Sequence, residues 1–214
     1  MNSCYNVVRG YLMLQDVTKI IGLTGPIGSG KNEAAKILRQ HGAFVIEADE
    51  VAHTLYNTQS PVWHKLVRVF GSKILNRGGK INRKKLGEMV FSDKRKLKQL
   101  DRIVHPHLKE AIIHEAEDKR PLDVARGKQL TIINAAVLKE IGLIDYVDEV
   151  WVVMAPKEKR IRRLLKVGLT KKEAKERINS QMSQKGYLKL ADVIIKNDGT
   201  LKQLNAKVQA CLQI

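Results

Sequence analysis

The chain has 214 residues, of which 43% are hydrophobic, and this is long enough for one domain with a proper core and insertions. Its two cysteines, Cys4 and Cys211, lie near opposite ends without a metal-ligand spacing, which argues against a disulfide framework and a zinc site. No apolar run approaches the roughly 18 residues of a membrane span, and the first 15 residues lack the pattern of a secretory signal, so we expect a cytoplasmic protein with no membrane partner.

The formal net charge of +17 is concentrated in two segments. Residues 77–128 contain 15 Lys and Arg against 8 Asp and Glu, and residues 157–189 contain 12 against 3. This partition fits a small ligand with several phosphates that is enclosed from two sides, although solvated lysine-rich helix faces would give the same pattern. We do not expect a nucleic-acid partner, although the charge alone leaves that alternative open.

Five short apolar runs rich in Val and Ile predict strands, and helical patterns separate them. Continuous apolar strands that alternate with helices indicate a parallel sheet covered on both faces. The predicted fold class is therefore α/β, in a single domain over residues 19–214. The predicted strands are residues 19–24, 43–48, 130–134, 149–155 and 192–196.

The first strand leads into the glycine-rich stretch 24–32, and a helix-like run follows from Glu33 to Gln40. Glycines in this context let the backbone turn tightly and aim its N–H groups, together with the helix N-terminus, at phosphates. Lys31 would reach the terminal phosphates of a nucleotide. A tight turn with no ligand is the alternative interpretation. The predicted nucleotide-binding residues of this loop are Gly28, Ser29, Gly30, Lys31, Asn32 and Glu33.

Asn32 departs from the usual loop pattern, in which Ser or Thr follows the lysine and contacts Mg²⁺. The amide oxygen of Asn32 is the predicted replacement as metal ligand. Glu47 and Asp49 then end the second predicted strand, where ligands bind in open parallel sheets. Alternation along an extended chain predicts that both carboxylates face Lys31, and an Asp there could act as general base. The alternative is that the pair caps the next helix.

About 80 residues separate the second and third predicted strands, and helical patterns fill most of them, which predicts a helical insert at about 60–125. Ser60-Pro61 predicts an N-cap with a first-turn proline, and His105-Pro106 is predicted to interrupt the last helix of the insert. Capping boxes at Thr170 and Thr200 predict two later helices. The basic helices at about 157–190, with Gly168 between them, predict a lid that closes on phosphates.

The order of these motifs resembles the dephospho-coenzyme A kinase family of P-loop kinases. The resemblance runs from Lys19 to the C-terminus, and no single motif carries it alone. It rests on Gly25-Pro26-Ile27-Gly28-Ser29-Gly30-Lys31, Glu47-Ala48-Asp49, residues 78–86, Val90-Phe91-Ser92-Asp93, Ile103-Val104-His105-Pro106, Arg177-Ile178, Gln181-Met182, Ala191-Asp192-Val193-Ile194 and Asn197-Asp198-Gly199.

The resemblance implies a P-loop NTPase-type sheet and a phosphotransferase that uses ATP and Mg²⁺ to phosphorylate the ribose 3′-hydroxyl of dephospho-CoA. It makes Asp49 the general base, with Lys31 and the loop binding ATP phosphates, and Arg162 the lid arginine that steadies the transferring phosphoryl group. His105 has an alternative as a plain turn residue. The implied acceptor-pocket residues are Glu47, Asp49, Arg83, Phe91, His105 and Pro106, and Asn197 and Gly199 are the implied adenine contacts.

The chain departs from the family at several positions. The family usually has an acid and then Pro-Leu-Leu after the third strand, whereas this chain has Asn134-Ala135-Ala136-Val137; a lid Arg-Asp pair is Lys166-Val167; and Tyr187 replaces a basic residue. Family members begin close to the first strand, so residues 1–18 are expected to be a disordered or untranslated extension, with Met13 as an alternative start. The alternatives are a nucleoside or nucleotide kinase, or an inactive nucleotide- or RNA-binding protein.

Overall fold

The computed structural model describes residues 7–8, 11–12, 19–118 and 130–212. Near the N-terminus β1 (Val7–Val8) pairs in antiparallel fashion with β2 (Tyr11–Leu12). The rest of the predicted extension, including Met13, lies outside the described residues, and so do residues 119–125 of the predicted insert.

The centre of the protein is a five-stranded sheet in which every neighbouring pair is parallel. The spatial order is β4-β5-β3-β6-β7, so the strand that precedes the glycine-rich loop, β3, lies in the middle. The strand ends differ from those predicted by at most one residue. The strands are β3 (Lys19–Thr24), β4 (Phe44–Glu47), β5 (Leu130–Asn134), β6 (Glu149–Met154) and β7 (Val193–Lys196).

Helices cover both faces of the sheet, which confirms the predicted fold class. The first helix after the loop and the last helix pack on one face, and the helices of the insert pack on the other. The helices are α1 (Lys31–Gln40), α2 (Ala48–Leu55), α3 (Pro61–Phe70), α4 (Arg83–Phe91), α5 (Lys94–Asp118), α6 (Lys157–Lys166), α7 (Lys171–Ser180), α8 (Gln184–Leu190) and α9 (Leu201–Leu212), with short 3₁₀ turns at Ser72–Ile74 and Ile144–Tyr146.

The core consists of two apolar layers because successive residues of a strand point to opposite faces. Ile20 of β3 packs in the layer beneath α2 to α5, and Ile21 packs in the layer beneath α1 and α9. Ile133 and Ile132 of β5 divide in the same way. Continuous apolar strands are therefore required, and this explains why the sequence pattern identified them.

The predicted helix starts are confirmed by side-chain caps. The Ser60 hydroxyl accepts from the Trp63 N–H at 3.0 Å, with Pro61 in the first turn. Thr170 and Glu173 form a reciprocal capping box. These caps satisfy N–H groups that have no partner within the helix, and so they fix where the chain turns into it.

Two predictions about local structure are wrong. His105-Pro106 does not interrupt a helix, because α5 runs continuously from Lys94 to Asp118 with Pro106 inside it. Proline removes one helical hydrogen bond, and here the buried residues Val104, Leu108 and Ile112 hold the helix against its neighbours on both sides of the proline. The second strand also ends at Glu47, and Asp49 already belongs to helix α2.

Helices α6 to α8 occupy the range predicted for the lid, and α6 and α7 form a small apolar cluster of their own from Leu164, Ala174 and Ile178. The turn between α6 and α7 passes through Gly168, whose φ of 91° favours glycine. Within the described residues, no helix is both long and apolar enough to span a membrane.

Candidate active site

The glycine-rich loop joins the centre of the sheet to α1. Gly28 and Gly30 have φ values of 75° and 93°, in the left-handed region that favours glycine. The Ser29 N–H donates to the Pro26 carbonyl at 3.0 Å and closes the turn. Gly30 is the N-cap of α1 without a side-chain cap, so the first N–H groups of this helix open onto the loop.

Side chains from outside the loop hold its carbonyl groups. Arg160 Nε donates to the Ile27 carbonyl at 2.8 Å, and Arg163 Nη1 donates to the carbonyls of Gly28 and Ser29 at 2.9 and 2.8 Å. Asn197 Nδ2 adds a second bond to the Ser29 carbonyl at 2.7 Å. Since the C=O and N–H of one planar peptide point in opposite directions, the N–H groups of Gly28 and Gly30 point away from these donors.

The contact between the loop and these side chains leaves no room for a larger loop residue. A Cβ on Gly28 would lie 3.0 Å from the Arg160 carbonyl oxygen, and a Cβ on Gly30 would lie 2.1 Å from Asn197 Nδ2. Helix α6, the first helix of the predicted lid, is therefore docked directly on the glycine-rich loop.

Lys31 lies inside the loop, in a hydrogen-bonded network. Its ammonium group donates to Asn134 Oδ1 and to Asn32 Oδ1, the latter at 3.2 Å. Asn134 is buried at the end of β5, and its Nδ2 donates to Glu47 at the end of the neighbouring strand β4. Arg39 pairs with the other Glu47 oxygen at 3.1 Å. The carboxyl ends of β4 and β5 thus hold Lys31 in place.

Burial lowers the pKa of Lys31, and the carboxylates of Asp49 and Glu47 oppose that shift. Both acids therefore lie close enough to Lys31 to influence its charge, as predicted. The explanation by strand alternation is wrong, however, because Asp49 lies in the first turn of α2 and Glu47 is the N-cap of that helix. Glu47 makes no side-chain cap hydrogen bond, so the interpretation of the pair as a simple helix cap is not supported.

A cavity of about 430 Å³ lies over the loop. Lys31, Asn32 and Glu33 line it from the loop side, Asp49 from α2, and Arg163 and Gln181 from the lid. A larger cavity of about 850 Å³ between α2, α3 and α5 has Glu47, Glu50, Glu110, Glu115 and Asp118 in its lining. Clustered carboxylates repel phosphates, so the smaller cavity is the candidate nucleotide site.

The predicted acceptor residues lie on the insert, next to α2. Arg83, at the start of α4, hydrogen-bonds to the ring of His53 on α2. Burial raises the pKa of Tyr56, the nearby Arg83 opposes this shift, and Asp101 reinforces it. His105 lies 3.5 Å from Asp101 on α5. The sequence did not identify His53, Tyr56 or Asp101 as members of this cluster.

For the remaining predicted residues the structure gives less information about a substrate contact. Phe91 ends α4, but its side chain lies outside the described part of the chain, and Pro106 is exposed within α5. Gly199 is exposed beyond β7. Asn197 is buried and uses its amide to hold Ser29, a positioning role that the sequence did not predict; its contact with adenine stays a prediction.

Arg162, the predicted lid arginine, is exposed on α6, whereas its neighbours Arg160 and Arg163 bind the loop. Helical geometry contains a signal that could have identified them, because residues three apart lie on one face and Arg160 and Arg163 share their face with Leu164, which is buried. Arg162 lies about 100° away from Arg163 around the helix. Its contact with a phosphoryl group stays a prediction.

Comparison with known proteins gives consistent matches. A model of the dephospho-CoA kinase family matches residues 19–203. A dephospho-CoA kinase of Carboxydothermus hydrogenoformans is 35% identical over 198 residues, which cover 92% of this chain and 94% of that protein. Among solved structures, protein TT1252 from Thermus thermophilus has a TM-score of 0.76 at 30% sequence identity. The matched region covers 92% of this chain and 97% of the TT1252 chain. Dephospho-CoA kinase from Campylobacter jejuni has a TM-score of 0.66 at 28% identity, with coverages of 91% and 95%.

Proposed function

Because this chain belongs to the dephospho-CoA kinase family, we propose that it transfers the γ-phosphoryl group of ATP to the ribose 3′-hydroxyl of dephospho-CoA, giving CoA and ADP. Family membership makes it an ATP-dependent kinase that acts on a hydroxyl group. The observation that carries the proposal is one cavity lined by both Lys31 and Asp49, a phosphate-binding cation and a candidate base.

ATP phosphates are bound by the loop in this proposal. The N–H groups of Gly28 and Gly30 and the start of α1 supply donors that need no reorganisation when phosphate arrives. Lys31 leaves its amide partners and reaches the terminal phosphates. Asn197 and Gly199, at the end of β7, flank the adenine.

Asp49 takes the proton of the attacking hydroxyl. Its position in the first turn of α2 directs it into the cavity rather than into the network of Glu47. The in-line geometry of phosphoryl transfer requires such a base on the side opposite the leaving ADP.

The site also fits Mg²⁺, because this ion binds nucleotide sites through one or two protein oxygens in addition to the phosphates and water. Asn32 supplies an amide oxygen that lines the phosphate cavity, so this residue would hold the ion. When bound, the ion neutralises charge that develops on the phosphate oxygens.

Dephospho-CoA is itself a diphosphate ester, so its pocket needs cations. Arg83 supplies one at the start of α4, and Phe91, His105 and Pro106 are the other residues that we assign to this pocket. On the lid, Arg162 is exposed and free of the loop contacts that engage Arg163, so it is available to the transferring phosphoryl group.

The test is ADP release by the purified protein with MgATP, with and without dephospho-CoA. We expect release that depends on the acceptor and disappears in Lys31→Ala. Nucleosides and nucleotides offered as competing acceptors distinguish a kinase with a different substrate. ATP binding without acceptor-dependent release, together with salt-sensitive RNA binding, would refute the proposal in favour of an inactive binding protein.

A further inference from the structure

Gln181 lies at the end of α7, and its side chain reaches the phosphate loop. Its Oε1 accepts a hydrogen bond from the Ile27 N–H at 2.7 Å, and the residue lines the same cavity as Lys31 and Asp49. The sequence contains Gln181-Met182 as one of several motifs, without an indication of what the glutamine does.

The contact differs in kind from those of the lid arginines. Arg160 and Arg163 donate to loop carbonyls, although Arg163 also lines the cavity over the loop. Gln181 instead accepts a hydrogen bond from a loop N–H, so an acceptor oxygen and not a donor faces the loop. Both Gln181 and Arg163 line the cavity, but Arg163 uses its Nη1 donor on the loop carbonyls, whereas Gln181 uses only its oxygen on the loop.

The chemistry of this hydrogen bond fixes the orientation of the amide. The Ile27 N–H is a donor, so the atom facing it is the oxygen, and the other end of the amide is the NH₂ group with two donors. Among the residues that the structure describes, this NH₂ group makes no hydrogen bond. A pair of uncommitted donors thus lies in a cavity that Lys31, Asp49 and Arg163 also line.

We propose that Gln181 is a further catalytic residue, whose NH₂ group donates to an oxygen of the transferring γ-phosphoryl group while its carbonyl oxygen stays anchored on the Ile27 N–H. The inference rests on the proposed kinase function. The anchor makes the donor rigid, and a rigid donor aimed at developing charge stabilises a transition state more than a mobile one does. Because Gln181 joins α7 to α8, the same contact couples the lid to the presence of the third phosphate.

Two substitutions separate this role from simple docking. Gln181→Glu keeps an acceptor for the Ile27 N–H but replaces the NH₂ donor by a negatively charged oxygen. Gln181→Ala removes both. The matched control is Gln184→Glu, which makes the same chemical change at an exposed position three residues away, at the start of α8.

We expect Gln181→Glu to lower kcat by about 100-fold or more, the range found when one transition-state donor is removed. It should weaken ATP binding while ADP binding stays within about threefold of the wild type, since ADP lacks the γ-phosphate. Gln181→Ala should lower kcat by a smaller factor because it adds no repulsion, and Gln184→Glu should behave as the wild type.

A Gln181→Glu enzyme with kcat within tenfold of the wild type would overturn the inference, as would an equal loss of ATP and ADP binding, which indicates a docking role only. Failure of the proposed function is distinguishable. In that case the wild type itself shows no acceptor-dependent ADP release, and the ratio of ATP to ADP affinity in the variants still decides whether Gln181 contacts the third phosphate.

Discussion

Substitution of Arg163 by alanine should weaken ATP binding because Arg163 holds the backbone of the glycine-rich loop. Its guanidinium holds the carbonyls of Gly28 and Ser29 at 2.9 and 2.8 Å and orients the loop N–H groups. Hydrogen bonds to charged groups contribute about 1.5–3 kcal/mol each. The Ser29 carbonyl keeps its bond from Asn197, and the third bond of Arg163, to the Asn197 carbonyl, is long at 3.4 Å, so the net loss corresponds to about one strong bond. ATP affinity should therefore fall by roughly 10- to 150-fold.

The assay is titration of ATP and ADP against Arg163→Ala, with kcat and KM measured in parallel. Both nucleotides should lose affinity by similar factors because the loop serves both. Lys166→Ala is the control, since it removes the same charge from an exposed position on α6. Arg163→Lys should be intermediate, because an ammonium cannot reproduce the planar fork. Wild-type affinity for both nucleotides in Arg163→Ala would refute the argument that this arginine orients the loop.

Three further predictions concern the base and the stability of the sheet. Asp49→Asn should lower kcat by about 10²- to 10⁴-fold with a smaller loss of ATP affinity, and a wild-type rate would exclude Asp49 as the base. The hydrogen bond from Lys19 holds the pKa of Glu149 below its usual value. The ionised Glu149 therefore stabilises the fold at neutral pH, and this stabilisation is lost as the pH falls through the folded-state pKa. Glu149→Gln should therefore lower the free energy of unfolding at pH 7 by less than about 1 kcal/mol, because the pair is partly exposed, and this difference should shrink at acidic pH. Gly22→Ala would place a Cβ 2.5 Å from a methyl group of Leu138 and should cost about 1–3 kcal/mol, whereas in a Leu138→Ala background the same change should cost less.

The strands could be predicted because burial on both faces requires continuous apolar runs, and such runs can be recognised directly in the sequence. Ile132 and Ile133 show this, since each is fully buried in a different layer of the core. The caps at Ser60 and Thr170 were equally local, because a cap depends on residues within three positions. Predictions of this kind need no knowledge of the tertiary structure.

The errors arose where packing decides between local alternatives. Glu47 and Asp49 were expected to end the second strand as extended chain, but Ala48 is buried in the layer under the insert and starts α2, so Asp49 reaches the cavity from a helix. Pro106 was expected to break α5, and instead the contacts of the buried face carry the helix through it. Asp49 does lie near Lys31, as expected, but it is placed there by the start of helix α2 and not by strand alternation.

The choice among the lid arginines shows a different limit. Three arginines lie within four positions on α6, and the resemblance to the family directed attention to Arg162. Arg160 and Arg163 donate to loop carbonyls, and the direction in which a loop carbonyl points leaves no pattern in the amino-acid sequence. Residues that position the loop could therefore not be separated from residues that contact substrate until the loop and the helix were seen together.

The two asparagines that depart from the family pattern have one physical explanation, which the sequence alone could not supply. Asn134 donates to Glu47 and accepts from Lys31 at the same time, whereas an ionised Asp at this position could only accept and would face the Glu47 carboxylate. Asn32 accepts from both Lys31 and Asn134, which places it in the same network. Neutral amide oxygens hold an ammonium group less strongly than a carboxylate does. Lys31 can therefore leave these partners for a phosphate at a smaller cost than it could leave an acid, so an asparagine at position 134 is compatible with phosphate binding by Lys31.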